Sequence, residues 1–240
     1  MCTLIVFKDM KPGHPLIVAA NRDEIPGRPT ADPDWIAPDT YAPQDLVHGG
    51  SWIGVNRRGM VAALTNNYPF GHQRGRRSRG LIVTESLRCE SINWARVCLF
   101  SAQPRTYNGF HLLLADGKNA LVIWSDGEKY HEQELGPGFH IITGDGYGPG
   151  HSYRDLMIRG FLAAHGNGVP DRRDIDKLLS FHGPGSADGT CVHGEDVSKE
   201  TLFSMVIDHN GKGMWAEIDW RTGRPCEQGP WRKEEIEFRR

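Results

Sequence analysis

Cysteine is scarce in this sequence and shows no paired spacing. The 240 residues contain 5 cysteines, an odd number, and no CxxC motif occurs among them. Such a set argues against a disulfide framework and against a structural zinc site. Unpaired thiols are kept reduced in the cytoplasm, so the sequence predicts a cytoplasmic protein.

An excess of charge of one sign and long hydrophobic runs are also missing. The chain carries 28 basic against 30 acidic residues, which gives no general attraction to nucleic acid or to a membrane surface. The first apolar run ends at Lys8-Asp9, and no segment approaches the roughly 20 apolar residues of a membrane-spanning helix. We therefore expect no signal peptide, no membrane span and no nucleic acid partner.

One stretch, Arg74–Arg79 (RGRRSR), is locally basic. Runs of like charge usually face water, so we interpret this stretch as a solvent-exposed loop. A role in holding an anion is the alternative.

Glycine is abundant and often stands in turn dipeptides between short apolar runs. Dipeptides such as Asp116-Gly117 and Asn210-Gly211 are typical of β-hairpins, so we expect antiparallel strands. The predicted strands are Thr3–Phe7, Leu16–Ala20, Trp52–Asn56, Met60–Thr65, Phe110–Ala115, Ala120–Trp124, Lys129–Glu134, Phe139–Thr143, Leu202–Asp208 and Gly213–Asp219. The predicted helices are Leu81–Cys89, Ile92–Phe100, Ser152–Ala164 and Asp171–Phe181. The segment Pro26–Pro43, rich in proline and aspartate, is predicted to be an irregular surface loop.

The first strand is apolar on both faces, with Leu4 and Val6 on one side and Ile5 and Phe7 on the other. Strands buried on both faces lie in the interior of a layered structure. We predict an α+β fold in which helices cover the outside of two stacked antiparallel sheets. No internal repeat or linker is evident, so residues 1–240 are predicted to form a single domain.

Cys2 is the first candidate functional residue. If an aminopeptidase removes Met1, Cys2 carries both a nucleophilic thiol and a free α-amine, whose reference pKa is about 7.7–8.0. Such an amine can accept the proton of the thiol near neutral pH, which is a known way to activate a nucleophile. The alternative is a buried cysteine that packs as a small hydrophobic residue.

The first predicted hairpin brings polar residues to Cys2. With Pro12-Gly13 at the centre of the turn, Cys2 lies opposite Asp23 and one residue from Arg22. Asp23 can then hold the α-amine, and Arg22 can stabilise the thiolate. The alternative is an ordinary ion-pair cluster at the end of a strand.

A second predicted hairpin ends in the pair Asn66-Asn67. An asparagine amide at the end of a strand can donate to a developing oxyanion, and loss of such a donor costs roughly 3–4 kcal/mol in other enzymes. The alternative is that the two asparagines simply begin a turn.

Three segments together resemble a known family. They are Cys2, the segment Ala20-Asn21-Arg22-Asp23-Glu24, and the block Gly50–Asn56 (GSWIGVN) with the following Ala63–Asn66 (ALTN). In this order they resemble the NRDE family, which includes the transport and Golgi organisation protein 2 group. The same order is similar to the N-terminal-nucleophile amidases, the choloylglycine hydrolase and penicillin V acylase group.

This resemblance implies a four-layer αββα sandwich and roles for several residues. Cys2 is then the nucleophile, Asn66 the oxyanion donor with Asn67 as the alternative, and Arg22 and Asp23 the pair beside the nucleophile. The residues expected to bind substrate are Asn21, Glu24, Trp52 and Asn67. No cofactor is implied, and the implied partner is a small-molecule acyl or amide substrate or an apolar ligand.

The segment from Thr190 to Cys226 resembles the acyl-transferase and carcinine-hydrolase branch of the same superfamily. Within it, Cys191 and His193 are two residues apart and would share one face of an extended chain. No third and fourth ligand is apparent from the spacing, so we predict no metal site.

Two functions are consistent with these observations. The first is a cysteine hydrolase that cleaves a non-peptide amide or a related acyl bond through a thioester on Cys2. The second, which the resemblance to the NRDE family implies, is a non-catalytic carrier of haem or lipid on the same scaffold, in which Cys2 can serve as a thiolate ligand to haem iron.

Overall fold

The computed structural model describes residues 2–150, 152–166, 168–211 and 213–239. Within these residues the chain forms thirteen β-strands and four α-helices. The strands are β1 (Thr3–Lys11), β2 (His14–Glu24), β3 (Thr30–Ala37), β4 (Thr40–Asp45), β5 (Ile53–Asn56), β6 (Val61–Asn66), β7 (Phe110–Ala115), β8 (Ala120–Ser125), β9 (Tyr130–Glu134), β10 (Gly138–Thr143), β11 (Glu200–Asn210), β12 (Trp215–Thr222) and β13 (Arg232–Glu237). The helices are α1 (Gly80–Leu87), α2 (Ile92–Ser101), α3 (Tyr153–Ala164) and α4 (Arg172–Ser180).

The strands form two antiparallel sheets. One sheet has six strands in the spatial order β10-β1-β2-β11-β12-β13, and the other has seven in the order β3-β4-β5-β6-β7-β8-β9. Most neighbours are joined by short connections, as the turn dipeptides predict, whereas β2 and β11 are paired across a long stretch of chain.

Three hydrophobic cores hold four layers together. The first lies between the two sheets, the second between the seven-stranded sheet and helices α1 and α2, and the third between the six-stranded sheet and helices α3 and α4. Strand β1 shows how the sequence specifies this, because Leu4 and Val6 belong to the first core while Ile5 and Phe7 belong to the third. The predicted α+β fold, with helices outside two stacked antiparallel sheets, is confirmed.

The two helices over the six-stranded sheet begin where their capping residues predict. Ser152 accepts a hydrogen bond from the Asp155 amide at the start of α3, and Asp171 accepts one from the Asp174 amide at the start of α4. Among the described residues, no helix has both the length and the apolar character that a membrane crossing requires.

The prediction of an irregular loop over Pro26–Pro43 is wrong, because most of this segment forms the hairpin β3–β4. Strand β3 is at the edge of its sheet, where a proline removes no hydrogen bond from a neighbour. Pro33 also lies within an irregularity of the β3–β4 pairing, between Ala31 and Asp34. An edge position and a bulge thus allow a strand in a sequence that indicates a loop.

Strand β13 was not predicted either. Its sequence, RKEEIE, has one buried residue, Ile236, among charged residues. The strand closes one edge of the six-stranded sheet, and charged side chains at an edge discourage pairing with other chains.

Candidate active site at Cys2

Cys2 directly precedes β1 and lies opposite Arg22 when the β1–β2 pairing is continued by one residue. The turn forms around Pro12-Gly13 as expected, with Lys11 paired to His14. A bulge between Lys8 and Lys11 then shifts the register, so that Thr3 pairs with Asn21. The predicted register, with Cys2 opposite Asp23, is therefore wrong by one residue.

The shifted register separates the two polar residues that follow Asn21. Side chains alternate between the two faces of a strand, so Arg22 lies on the same face of β2 as Ala20, and Cys2 lies on the same face as Leu4. Ala20 and Leu4 belong to the core between the sheets, so Arg22 and Cys2 face that side. Asp23 instead faces the layer of α3 and α4. The Cys2 side chain is half-buried, whereas Arg22 and Asp23 are buried.

Three cationic side chains, Arg22, Arg79 and Lys199, interact electrostatically with Cys2. Burial lowers the pKa of Arg22 and of Arg79, and the negative charges of Glu24 and a Cys2 thiolate act against this. Burial also opposes the charge on Lys199, but the neighbouring Tyr68, Glu24 and Cys2 together raise its pKa above the usual value. Cys2 is thus placed in a group of positive charges.

Arg22 is fixed from several sides. Its guanidinium lies 4.1 Å above the ring of Trp52, within the range of a cation–π interaction. It donates hydrogen bonds to Thr30 Oγ1 (3.1 Å) and to Glu24 Oε2 (3.4 Å). Glu24 Oε1 is also 3.6 Å from Lys199 Nζ, so one carboxylate connects two of the cations around Cys2. Trp52 and Glu24, both predicted to bind substrate, therefore position Arg22.

Lys199 reaches the site through strand pairing. Strand β11 pairs with β2 so that Glu200 lies opposite Glu24, and Lys199 immediately precedes Glu200. Its Nζ donates to the hydroxyl of Tyr68 over 3.5 Å. A residue far along the sequence is in this way placed beside the beginning of β1.

Asn66 is connected to the same group of residues. Its Nδ2 donates a hydrogen bond of 3.0 Å to the Tyr68 hydroxyl, and its side chain is half-buried. Asn67 is buried and its Nδ2 donates to Ser125 O (3.4 Å). Of the two asparagine side chains, that of Asn66 is bonded to Tyr68, which also accepts from Lys199.

Asp23 belongs to a buried network on the helix side of the sheet. Thr201 Oγ1 donates to Asp23 Oδ1 (2.6 Å), and Arg154 Nη1 lies 3.4 Å from Asp23 Oδ2. The same Arg154 nitrogen donates to Thr3 Oγ1 (2.7 Å). Asp23 and Arg154 thus hold the strand that carries Cys2 from the opposite face.

Asn21 was predicted to bind substrate, but the structure uses its amide internally. Its Nδ2 donates to Leu179 O and to Thr190 O, both at 2.7 Å, and its Oδ1 accepts from Ser204 Oγ at 2.7 Å. The residue is buried and ties β2 to α4 and to the loop before β11. This bonding uses both N–H groups of the amide and one of the two lone pairs of its oxygen, and we assign Asn21 a structural role.

Comparison with known proteins places the chain in a family. The family model described as Transport and Golgi organisation 2 matches residues 1–153, which is more than half of the chain. The chain belongs to this family. The Transport and Golgi organization protein 2 homolog of Bos taurus is 34% identical over 125 residues, and that of Homo sapiens is 33% identical over 125 residues. Each alignment covers 48% of this chain and 45% of the relative, so the chain spans about half the length of these relatives.

Solved structures with the same fold include an acid amidase and a bile acid hydrolase. The Caenorhabditis elegans N-acylethanolamine-hydrolyzing acid amidase ortholog superposes with a TM-score of 0.61 at 16% identity, covering 88% of this chain and 93% of that one. The mutant C2A of the conjugated bile acid hydrolase from Clostridium perfringens superposes with a TM-score of 0.63 at 10% identity, covering 98% and 92%. At these identities the likeness is one of fold. The αββα architecture implied by the NRDE resemblance is confirmed.

For this member of the Transport and Golgi organisation 2 family, sequence reasoning missed Arg79, Lys199 and Tyr68. Arg79 ends the basic stretch interpreted as a solvent-exposed loop, and it donates to Gly109 O over 2.9 Å. Arg79 immediately precedes Gly80, whose backbone packs directly against that of Gly50. A Cβ on Gly50 would lie 2.4 Å from the carbonyl carbon of Gly80, so this approach requires glycine. These two glycines were the feature of the sequence that could have indicated the position of Arg79.

Proposed function

We propose that the protein is a cysteine hydrolase of the N-terminal-nucleophile type that cleaves a non-peptide amide after removal of Met1. Met1 lies outside the described residues. The observation that carries the proposal is the position of Cys2, half-buried at the beginning of a central strand and in electrostatic contact with Arg22, Arg79 and Lys199. The fold shared with an acid amidase and a bile acid hydrolase supports it.

In the proposed reaction the α-amine of Cys2 takes the proton from the thiol. The sulfur attacks the carbonyl carbon, and the electron pair of the C=O bond moves to the oxygen, which Asn66 Nδ2 stabilises by donating a hydrogen bond. When the C–N bond breaks, the ammonium returns the proton to the leaving amine and a thioester remains. The α-amine then deprotonates water, and attack of hydroxide on the thioester releases the acid and restores the thiol.

The charges around Cys2 favour a substrate with an anionic group near the scissile bond. Three cations interact with Cys2, whereas Glu24 contributes one carboxylate to the same group. A carboxylate on the amine portion of the substrate would complement the remaining positive charge. An N-acylated amino acid has this arrangement, and a neutral N-acylethanolamine with the same acyl chain does not.

Two exposed hydrophobic residues favour an apolar acyl portion. Ile25 follows Glu24 directly, and Phe70 follows Tyr68 by two residues, so both stand next to groups of the Cys2 site. Each side chain is 53% exposed. Apolar groups at the edge of a polar site can cover an acyl chain.

Mass spectrometry and hydrolysis test the proposal together. We expect the intact mass to show loss of Met1, and the wild-type protein to hydrolyse N-palmitoylglycine faster than N-palmitoylethanolamine. Cys2→Ala should abolish hydrolysis and labelling by iodoacetamide at residue 2. Cys98→Ser, which removes an exposed cysteine on α2, is the matched control and should leave hydrolysis unchanged. Retention of Met1, or full activity of Cys2→Ala, would refute the proposed mechanism.

A carrier of an apolar ligand is the second candidate function, and one cavity favours it. Between α3 and α4 lies a space of about 240 Å³ whose wall is mainly apolar, including Met157, Phe161, Leu178 and Phe181. We expect a carrier to bind a fluorescent fatty acid or haem stoichiometrically, to retain Met1 and to show no hydrolysis. Phe161→Asp should weaken such binding, and Leu156→Asp, at an exposed position on the same helix, should leave it unchanged.

A further inference from the structure

Four side chains that can bind metal converge at a place remote in sequence from Cys2. His182 follows α4, Cys191 and His193 lie in the loop before β11, and Cys226 lies in the short 3₁₀ helix Pro225–Glu227 after β12. Their ligand atoms all lie within 4.8 Å of one another. The spacing of Cys191 and His193 did not reveal that His182 and Cys226 lie beside them.

The distances between these atoms agree with one shared ion. Tetrahedral zinc, with bonds of about 2.0–2.1 Å to nitrogen and about 2.3 Å to sulfur, places two nitrogens about 3.4 Å apart and a nitrogen and a sulfur about 3.6 Å apart. The Nε2 atoms of His182 and His193 are 3.1 Å apart, and Cys226 Sγ is 3.4 Å from His193 Nε2. The two imidazole rings are nearly perpendicular, at 82°, so their Nε2 atoms approach a common region from different directions.

The backbone holds three of the four ligands in place. The Cys191 amide donates to Phe181 O over 3.0 Å, which ties the segment of Cys191 to the residue before His182. The Val192 amide donates to Thr201 Oγ1 (2.8 Å), and the Thr201 amide donates to Val192 O (2.7 Å). Val192 lies between Cys191 and His193, so both ligands are anchored to β11.

We propose that His182, Cys191, His193 and Cys226 bind one zinc ion in a closed tetrahedral site. Binding exchanges the two thiol protons for the metal, so two protons are released to solvent for each ion bound and no electron is transferred. Four protein ligands leave no position for water or substrate, which makes the role structural. The site lies beyond residues 1–153, the part of the chain that the family model matches.

The ion would brace the Cys2 site from the helix side. It would hold the segment of Cys191 and His193, whose Val192 is bonded to Thr201, and Thr201 in turn donates to Asp23. Loss of the metal should therefore loosen the support of strand β2. The metal site itself does not depend on the proposed hydrolysis.

Metal content and cobalt substitution test the site directly. We expect the purified protein to contain about one zinc ion per chain. After removal of zinc with a chelator, added Co²⁺ should give the visible bands of tetrahedral cobalt and a thiolate-to-cobalt charge-transfer band in the near ultraviolet. Less than about one tenth of an ion of zinc per chain, with no such charge-transfer band, would overturn the proposal.

Variants identify the ligands. Cys226→Ser and His193→Asn should each lose most of the zinc and the charge-transfer band. Cys98→Ser and His72→Asn, which change exposed residues of the same types elsewhere, should keep both. Cys2→Ala should also keep zinc, which separates this proposal from the hydrolase mechanism. Undiminished zinc in Cys226→Ser would show that the ion is bound elsewhere, and the wild-type cobalt spectrum decides the matter even if a ligand variant does not fold.

Discussion

Cys2 and Arg22 share a face of their sheet because of the backbone at Asp9. This residue has a φ of 52°, in the left-handed region, and it lies in the bulge that shifts the β1–β2 register by one residue. Aspartate and asparagine tolerate that region better than other residues with a side chain, whereas β-branched residues do not. Without the bulge, Cys2 would lie opposite Asp23 instead of Arg22.

We expect Asp9→Val to destabilise the protein by about 1–2 kcal/mol, because valine is strained in the left-handed region. Asp9→Asn should destabilise the protein less than Asp9→Val, because asparagine tolerates the left-handed region and its Oδ1 can still accept a hydrogen bond from the buried Lys8. Urea denaturation of the two variants measures the difference. Equal stability of the valine and asparagine variants would contradict a register set by this backbone conformation.

Phe70 provides a second test at the residue scale. If it covers the acyl chain of the substrate, Phe70→Ala removes roughly 1 kcal/mol of binding and raises KM for a long-chain substrate about five-fold. The KM for an acetylated substrate should not change, because its acyl group is too short to reach Phe70. Trp94→Ala, which alters an exposed aromatic residue on α2, is the control. An equal effect of Phe70→Ala on both substrates would indicate a structural disturbance instead.

At the scale of elements, the hairpins could be predicted from local sequence and the long-range pairings could not. Cys2, Arg22 and Asp23 lie on one hairpin, whose turn at Pro12-Gly13 the sequence indicates, so their proximity followed directly. The sequence does not indicate the bulge at Asp9, and the predicted β1–β2 register was therefore wrong by one residue. Lys199 reaches the site through the pairing of β11 with β2, which no local pattern reveals. The metal-binding cluster was missed for the same reason, since Cys226 is brought to Cys191 by the tertiary fold.

The contact of Gly50 with Gly80 joins the segment before β5 to the beginning of α1. A methyl group on Gly50 would lie 2.4 Å from the carbonyl carbon of Gly80 and 2.7 Å from the amide nitrogen of Leu81, and backbone atoms cannot move aside cheaply. Arg79 immediately precedes Gly80, so displacement of α1 would also move this cation relative to Cys2.

We therefore expect Gly50→Ala to lower the free energy of unfolding by about 1–3 kcal/mol and to slow alkylation of Cys2 by iodoacetamide. Gly136→Ala is the matched control, because among the described residues no heavy atom outside its chain neighbours lies within 4 Å of the added carbon. Urea denaturation and peptide mapping of the alkylated protein measure the two effects. If Gly50→Ala is destabilised but its Cys2 is alkylated at the wild-type rate, Arg79 does not affect the reactivity of the sulfur.

At the scale of the whole molecule, the three cores are connected through the two sheets. Strand β1 contributes to the core between the sheets and to the core beneath α3 and α4, and β6 contributes to the core between the sheets and to the core beneath α1 and α2. If one layer unfolds, it exposes a face of a sheet whose other face packs against the neighbouring layer. We propose that residues 1–240 unfold as one cooperative unit, as the prediction of a single domain implies.

That cooperativity makes a single buried histidine important for the stability of the whole protein. His209 on β11 is fully buried, and neither ring nitrogen has a hydrogen-bond partner among the described residues. Burial lowers its pKa from 6.5 to about 4. The unfolded chain therefore binds a proton near pH 6.5, while the folded protein resists protonation until about pH 4.

The contribution of His209 to stability is complete above the unfolded pKa and is lost as the pH falls towards the folded one. Between about pH 7 and about pH 5 this loss amounts to about 2 kcal/mol. Leucine has no proton to bind. When the pH is lowered over this interval, we therefore expect the free energy of unfolding of His209→Leu to fall by about 2 kcal/mol less than that of the wild type. His72→Asn, at an exposed position, should retain the wild-type dependence. Urea denaturation at the two pH values measures both, and parallel losses in the wild type and His209→Leu would mean that acid acts on the fold through other groups.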